Sequence, residues 1–477
     1  MTTAAKPISN TASDKVELRA WLPDAPALIG LFVFAIVLWP TAVLNDTDTW
    51  WHLSAGDWIW QHRTVPHADP FSYTFAGKPW IAHEWLSEVL MSRAFAMAGW
   101  PGVMLLTAAS AALGIWIVAR QAARSLSGVA LWLLVFGGMI LFAPHLLARP
   151  HIIVLPFMAW WFAALVRAKS TPPWACLPLM VLWANMHGSF IAGLALIAPF
   201  AVEAALASDQ RARAAMQWLA FLGAAAVAAA ITPFGIDGLI FPLKLITMPG
   251  VDGIGEWSPV NLLRPQPLTV AVLGLVFAWW RQRPRVGIVR GLVLLNLFAA
   301  SLHQQRHEML LGVLGVLILA EPLGQTCTPH PDLIQRRHPW TAIALVMALA
   351  AARLCVPLTA PVTNRDPAAA LAHVPSDVVD QRVFNAYAFG GQLIRAGIPV
   401  FIDSRADMYG PAFLNAYADA AGDPKTLAAT LDRWHAGWTL LEPNSTAAIA
   451  MDHLPGWHRL YADGTAVIHV RNDLPAR

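Results

Sequence analysis

Two aspartates with one residue between them, Asp46 and Asp48, come just after a long apolar run, and Trp50-Trp51-His52 follows one residue beyond Asp48. At this spacing an extended or irregular backbone points both carboxylates the same way. They could hold a divalent cation, magnesium or manganese, or one could act as general base while the other orients it. The alternative is a helix end with solvated acids. His83-Glu84-Trp85 closes the same polar stretch. That pair is either a second acid/base or ligand pair, or Glu84 simply favours the N-terminal end of the helix that follows.

Further polar groups interrupt apolar sequence downstream. Arg149-Pro150-His151 stands where an apolar helix should begin. An arginine there suits a lipid phosphate through charge-assisted hydrogen bonds, or else snorkels to headgroups. Asn185-Met186-His187-Gly188 lies between two apolar runs, so His187 must be hydrogen-bonded or wet, whether its role is structural or functional. Gly255-Glu256-Trp257 places a carboxylate beside an aromatic, a combination that suits a sugar's apolar faces and hydroxyl rim. In His303-Gln304-Gln305-Arg306-His307-Glu308 the two histidines are at i and i+4, on one face if the helix continues. Arg306 is a second candidate for binding phosphate. Near the C-terminus, Asp403, Arg405 and Asp407 either line a binding loop or form an ion pair that pins one.

The elements that must position these groups are membrane helices. Of 477 residues, 57% are hydrophobic and 13% charged, about half the charged share of a soluble domain. The net charge of +3 is small, and the basic residues are spread over short loops, which points away from nucleic acid. Apolar runs at 26–44, 101–118, 128–146, 151–166, 173–186, 189–206, 216–232, 267–280, 289–302, 309–323 and 340–358 make about eleven candidate spans. Alternate loops carry Arg120/Arg124, Arg167/Lys169, Arg211/Arg213, Arg281/Arg283/Arg285/Arg290 and Arg336/Arg337, and those loops should be cytoplasmic. Segment 1–24 would then be cytoplasmic, and the loop 45–100 and everything after 360 would lie outside. With that topology the unusual polar clusters fall at the outer ends of spans and converge on one cavity.

Within the outer loop two helices are expected, about 50–62 and 84–98, with tryptophans as interfacial anchors. The tail, 361–477, changes character. Strands are expected at 382–384, 399–403, 438–441 and 466–470, with helices at 389–396, 413–421 and 425–435, which reads as a periplasmic α/β domain. No phosphate-binding Gly-x-x-x-x-Gly-Lys-Ser/Thr loop, His-Glu-x-x-His or Gly-x-Ser-x-Gly is present, so nothing points to an ATP-driven pump or a serine hydrolase.

Several motifs in order carry a family likeness. They are Asp46-Thr47-Asp48-Thr49-Trp50-Trp51-His52-Leu53, Asp69-Pro70-Phe71-Ser72-Tyr73-Thr74, and His83-Glu84-Trp85-Leu86. Trp183-Ala184-Asn185-Met186-His187-Gly188, Thr232-Pro233-Phe234-Gly235, and Val400-Phe401-Ile402-Asp403-Ser404-Arg405 follow. In these the chain resembles bacterial multi-span proteins described as glycosyltransferase-like, of the GT-C fold. Protein mannosyltransferases, lipid A aminoarabinose transferases and oligosaccharyltransferases share that fold. The resemblance implies a polyprenyl-phosphate-linked sugar donor, an envelope glycan, lipid or protein acceptor, and reaction at the outer face of a bacterial inner membrane. It places the base or metal ligand on Asp46 and Asp48. The mannosyltransferase Asp-Glu pair and the Trp-Trp-Asp-like acceptor motif of oligosaccharyltransferases are missing, so donor and acceptor stay open. The competing reading is a non-enzymatic transporter or glycan-binding scaffold. A transporter would need polar groups threading to the inner face, and the chain shows no internal repeat.

Overall fold

A computed structural model describes residues 22–246, 248, 258–327, 339–358 and 366–473. Every apolar run picked out above carries helix. Four helices among the described residues are individually long and apolar enough to cross a membrane: Trp85–Ala122, Phe190–Ala207, Arg211–Ala229 and Gln305–Gly324. Shorter apolar helices accompany them, Ala25–Val37, Gly128–Ile140, Leu155–Arg167, Trp174–Met186, Ile288–His303 and Trp340–Cys355. Ala25–Val37 begins where Asp24 accepts the Ala27 amide at 2.8 Å and ends before Pro40, which cannot continue it. The helices share one apolar core running from Ile29 through Ala108, Trp161 and Trp183 to Leu317.

The helix Trp85–Ala122 joins two elements that the sequence separates. Ala98 and Gly99 are non-helical inside it, Gly99 at φ +59° and ψ −146°, with Pro101 just beyond. That φ is readily reached only by glycine, so a bend is built in at this point. The part before the bend packs on the outer-loop helix Asp48–His62; the part after it, Trp100 to Ala122, rises about 34 Å, enough to cross a bilayer. The two outer-loop helices approach closely at Gly56, where a Cβ would lie 2.0 Å from the Glu88 carbonyl oxygen.

The tail forms a four-stranded sheet in the order β1-β2-β4-β3, with β1 at Arg382–Asn385, β2 at Ala436–Leu441, β3 at Trp457–Ala462 and β4 at Val467–Arg471. β1 and β2 are parallel, and helices Gly390–Arg395, Ala406–Gly422 and Pro424–Trp434 make the crossover between them. β2 is buried along its whole length, as an apolar strand covered on both faces should be. β3 and β4 form an antiparallel hairpin, its turn held by Asp463, which accepts the Thr465 and Ala466 amides at 2.7 and 2.8 Å.

The expected strand at 399–403 is absent. Its backbone groups are taken by the outer loop and by a side chain. The Val400 amide donates to Phe71 O at 3.2 Å, and Tyr73 donates back to Val400 O at 3.1 Å. The Phe401 amide donates to Asn385 Oδ1 at 2.9 Å. The outer loop therefore occupies the place of a sheet neighbour. A shared core seals the junction: Trp51, Ala55, Trp80 and Ala82 of the loop pack with Val383, Phe389, Leu393, Trp438 and Ile468 of the tail.

Candidate active site at the outer loop

The segment 44–49 is tied to the entry of the Pro150 helix on both sides. Ala148 donates its amide to Val43 O at 2.9 Å, and Thr49 Oγ1 donates to Ala148 O at 3.1 Å. These bonds bring Arg149 against the two aspartates. Arg149 Nε and Nη2 both donate to Asp46, the latter at 2.7 Å, and Nη2 lies 2.6 Å from Asp48 Oδ2. The Asp48 amide donates to Asp46 Oδ1 at 3.3 Å, so the turn itself aims Asp46 inward. Burial opposes ionisation of Asp46, but the Arg149 guanidinium overrides it and holds that carboxyl below its ordinary value. Asp46 and Asp48 do point the same way, and the cation they meet is an arginine.

A second group lies beside this one. His52 is buried, with Nδ1 3.3 Å from Glu88 Oε1. Burial, then the charge of Arg149, pushes the His52 imidazole well below its ordinary value, so it is neutral. Glu84 Oε1 lies 3.3 Å from His187 Nε2 and 3.7 Å from His83 Nε2. The Ser189 amide donates to His187 Nδ1 at 3.1 Å, which fixes that nitrogen as an acceptor and puts the proton on Nε2, facing Glu84. Burial, with the charges of His151 and Arg306, keeps His187 neutral. His151 donates from Nε2 to His145 O at 2.7 Å, and its ring centroid is 6.1 Å from that of His187. Asp46, Asp48, His52, His83, Glu84, Arg149, His151 and His187 thus gather in one place, with Arg306 in electrostatic reach.

Other sequence candidates are placed differently. Asn185 is committed to structure: it accepts from Trp85 Nε1 at 2.8 Å and donates to Val181 O and Ile231 O at 2.8 Å each, which leaves no amide hydrogen for a substrate. His303 and His307 do not share a continuous helix face. The helix ends at His303, Gln304 is extended at φ −146°, and a short 3-10 turn, Gln305–His307, follows. Glu256 lies outside the described residues.

Asp403 and Arg405 form the ion pair of the earlier alternative. Arg405 is 1% exposed; Nε and Nη2 donate to Asp403 at 2.8 and 2.6 Å, and Nη1 donates to Asp69 at 2.8 Å. Its guanidinium lies 4.7 Å from the ring centre of Trp80 and 5.2 Å from that of Phe71. The pair therefore clamps the outer loop to the tail. A second clamp joins Asp57 to Arg93 at 2.6 Å and to Arg395 at 2.5 Å.

Glu88 was missed by the sequence reading. Its spacing from Glu84, four residues along a helix, already puts the two carboxylates on one face. One imidazole or carboxylate atom from each of His52, Glu84 and Glu88 lies within 4.8 Å of the others, a set able to surround a cation.

No protein-family model matches the chain, and no curated protein matches it in sequence. Solved structures do. ArnT from Cupriavidus metallidurans bound to undecaprenyl phosphate is 12% identical and aligns over 98% of this chain and 100% of its own, with a TM-score of 0.52. The apo state of the same protein gives 13% and 0.54 over the same shares. The oligosaccharyltransferase AglB from Archaeoglobus fulgidus, in complex with an inhibitory peptide and a dolichol-phosphate, is 13% identical, covers 94% of this chain and 75% of its own, and scores 0.53. The chain is a membrane protein with the GT-C fold that ArnT and AglB share.

Proposed function

We propose that the protein transfers a sugar from a polyprenyl-phosphate-linked donor to an envelope glycan, lipid or protein acceptor at the outer face of a bacterial inner membrane. The observation that carries this reading is the Asp46–Arg149–Asp48 cluster, set in a GT-C fold beside neutral His52 and His187. Arg149 is the phosphate ligand. An arriving phosphate competes with Asp48 for the guanidinium, and as it takes over, Asp48 gains basicity. Asp48 is the base, because its side chain is 17% exposed against 6% for Asp46 and so lies nearer an acceptor. The acceptor hydroxyl gives its proton to Asp48, its oxygen bonds to the sugar's anomeric carbon, and the bond from that carbon to the phosphate oxygen breaks. The phosphate oxygen takes the bonding pair, and Arg149 meets the negative charge that the leaving polyprenyl phosphate gains. Asp46 holds Arg149 in place throughout.

His151, His187 and Arg306 line the donor side, and His83 holds the sugar. A divalent cation bound here would add positive charge beside the leaving phosphate. Asp46 and Asp48, already shared by a guanidinium, are poorly placed to hold it, so the candidate ligands move to Glu84 and its neighbours. Segment 1–24 is cytoplasmic, about eleven spans cross the membrane between 25 and 360, and the domain 361–477 is periplasmic and covers the cavity. Arg405 and Asp403 keep it there.

Complementation tests the proposal. Asp46→Asn and Asp48→Asn, each at normal expression, should abolish the glycan product in cells lacking the native protein. Full product from both single variants and from the double variant would instead favour a scaffold or transporter.

A further inference from the structure

Glu88 has no role in the reaction above, yet it is the most conspicuous polar group beneath the site. Its side chain is 1% exposed. Among the described residues Oε1 meets only His52, at 3.3 Å, and Oε2 has no hydrogen-bond partner. A buried carboxylate left half unsatisfied is costly, and the usual remedies are a proton or a metal ion. Arg405 acts on Glu88 electrostatically, but its nitrogens are already engaged by Asp403 and Asp69. Glu84 approaches from one helical turn before Glu88 and His52 from the facing helix. Gly56 allows the backbones of these two helices to touch, which fixes the spacing of the three donors.

We propose that His52, Glu84 and Glu88 form a site for one divalent transition-metal ion, deepening the transferase reading on which it rests. Donor atoms now within 4.8 Å of each other need only a small contraction. Ligands bonded at about 2.1 Å sit about 3.0–4.2 Å apart around one ion. One imidazole with two carboxylates favours manganese or zinc over magnesium or calcium, which prefer an all-oxygen shell. The ion satisfies the orphaned Oε2 and neutralises the paired glutamates. The neighbouring neutral His187, whose Nε2 faces Glu84, supports the shell from outside. This ligand set is distinct from Asp46 and Asp48, which Arg149 already bridges.

The test uses the full chain purified in detergent, stripped with chelator and titrated with manganese or zinc chloride. Metal content by mass spectrometry and thermal unfolding are read, neither of which needs the donor. The wild type should bind about one ion per chain and unfold at higher temperature when loaded. Glu88→Gln and His52→Asn should each lower metal content at least tenfold and lose the thermal shift, whereas Asp48→Asn should keep both. If Glu88→Gln fails to fold, Glu84→Gln and His52→Asn carry the test. No binding by the wild type at millimolar metal overturns the proposal. So does binding that survives loss of Glu88 and His52 but is lost with Asp46→Asn and Asp48→Asn. Metal binding with no transfer activity leaves this site standing and fails the transferase reading; transfer activity without bound metal does the reverse.

Discussion

Replacing Arg149 by alanine strips the bridging guanidinium from a carboxylate pair that the fold has largely withdrawn from water. Asp46 is 6% exposed and Asp48 17%. Breaking a fully buried pair costs about 3–5 kcal/mol because one charge is left uncompensated. Arg149 itself is 19% exposed, so screening brings the expected loss at pH 7 to about 2–3 kcal/mol. The pH dependence carries the sharper prediction. In the wild type the Asp46 pKa is depressed below 3.8, so its stabilisation is full above that value and is lost only as pH falls through the lower, folded pKa. In Arg149→Ala burial is the largest remaining influence on Asp46 and outweighs the Asp48 amide hydrogen bond and the weaker pull of His52, so the Asp46 pKa should rise above the unfolded value and the sign should reverse. The variant's deficit should shrink as pH falls from 7 toward 4, because protonation removes the buried charge. Asp46→Asn added to Arg149→Ala should recover stability at pH 7, a non-additive cycle. Thermal unfolding in detergent over that pH range is the assay. A deficit that is constant with pH, or a double variant less stable than Arg149→Ala by the full cost of Asp46→Asn alone, would refute the reasoning.

Three further outcomes follow from the same structure. Asp407 is pushed up to about 6 by burial, which outweighs the nearby Arg405; a raised carboxylate costs stability as pH rises through 4 to 6. Asp407→Asn should therefore gain about 1–2 kcal/mol relative to wild type at pH 7 and nothing at pH 4, read by thermal unfolding. Arg405→Met leaves Asp403 and Asp69 without their shared cation and should cost about 3–5 kcal/mol, seen as proteolytic release of the tail, whereas Arg395→Met, whose partner Asp57 is 26% exposed, should cost about 1 kcal/mol. Gly56→Ala drives a methyl group into the Glu88 carbonyl oxygen 2.0 Å away and should cost at least about 2 kcal/mol, with weakened metal binding, measured by unfolding and metal content.

The membrane helices were legible because a bilayer demands long apolar runs, and composition alone shows them. The bend at Ala98 and Gly99 was placed correctly as a boundary, yet helix continues on both sides of it. The helix Gly235–Ile246 escaped notice because Asp237, Pro242 and Lys244 give it the composition of a loop. The segment 399–403 reads as a strand by its alternation, and only the distant Phe71, Tyr73 and Asn385 reveal where its hydrogen bonds go. At the site, the joint orientation of Asp46 and Asp48 followed from their spacing. Their pairing with Arg149 joins groups a hundred residues apart, and no local pattern shows that contact. Glu88 was hidden because its partner His52 lies on another helix, 36 residues away in sequence, and Asn185 read as a substrate-binding candidate because its structural partners Trp85 and Ile231 are also remote in sequence.

Transfer itself is tested most directly by release of the carrier. Purified wild-type protein, given lipid-linked sugars extracted from bacterial membranes together with an envelope acceptor fraction, should liberate polyprenyl phosphate in step with new glycosylated product. Asp48→Asn, shown to be folded, should lower that rate at least a hundredfold, the size expected when a general base is removed. Equal release by wild type and Asp48→Asn, or none from the folded wild type with any donor in the pool, would contradict the account.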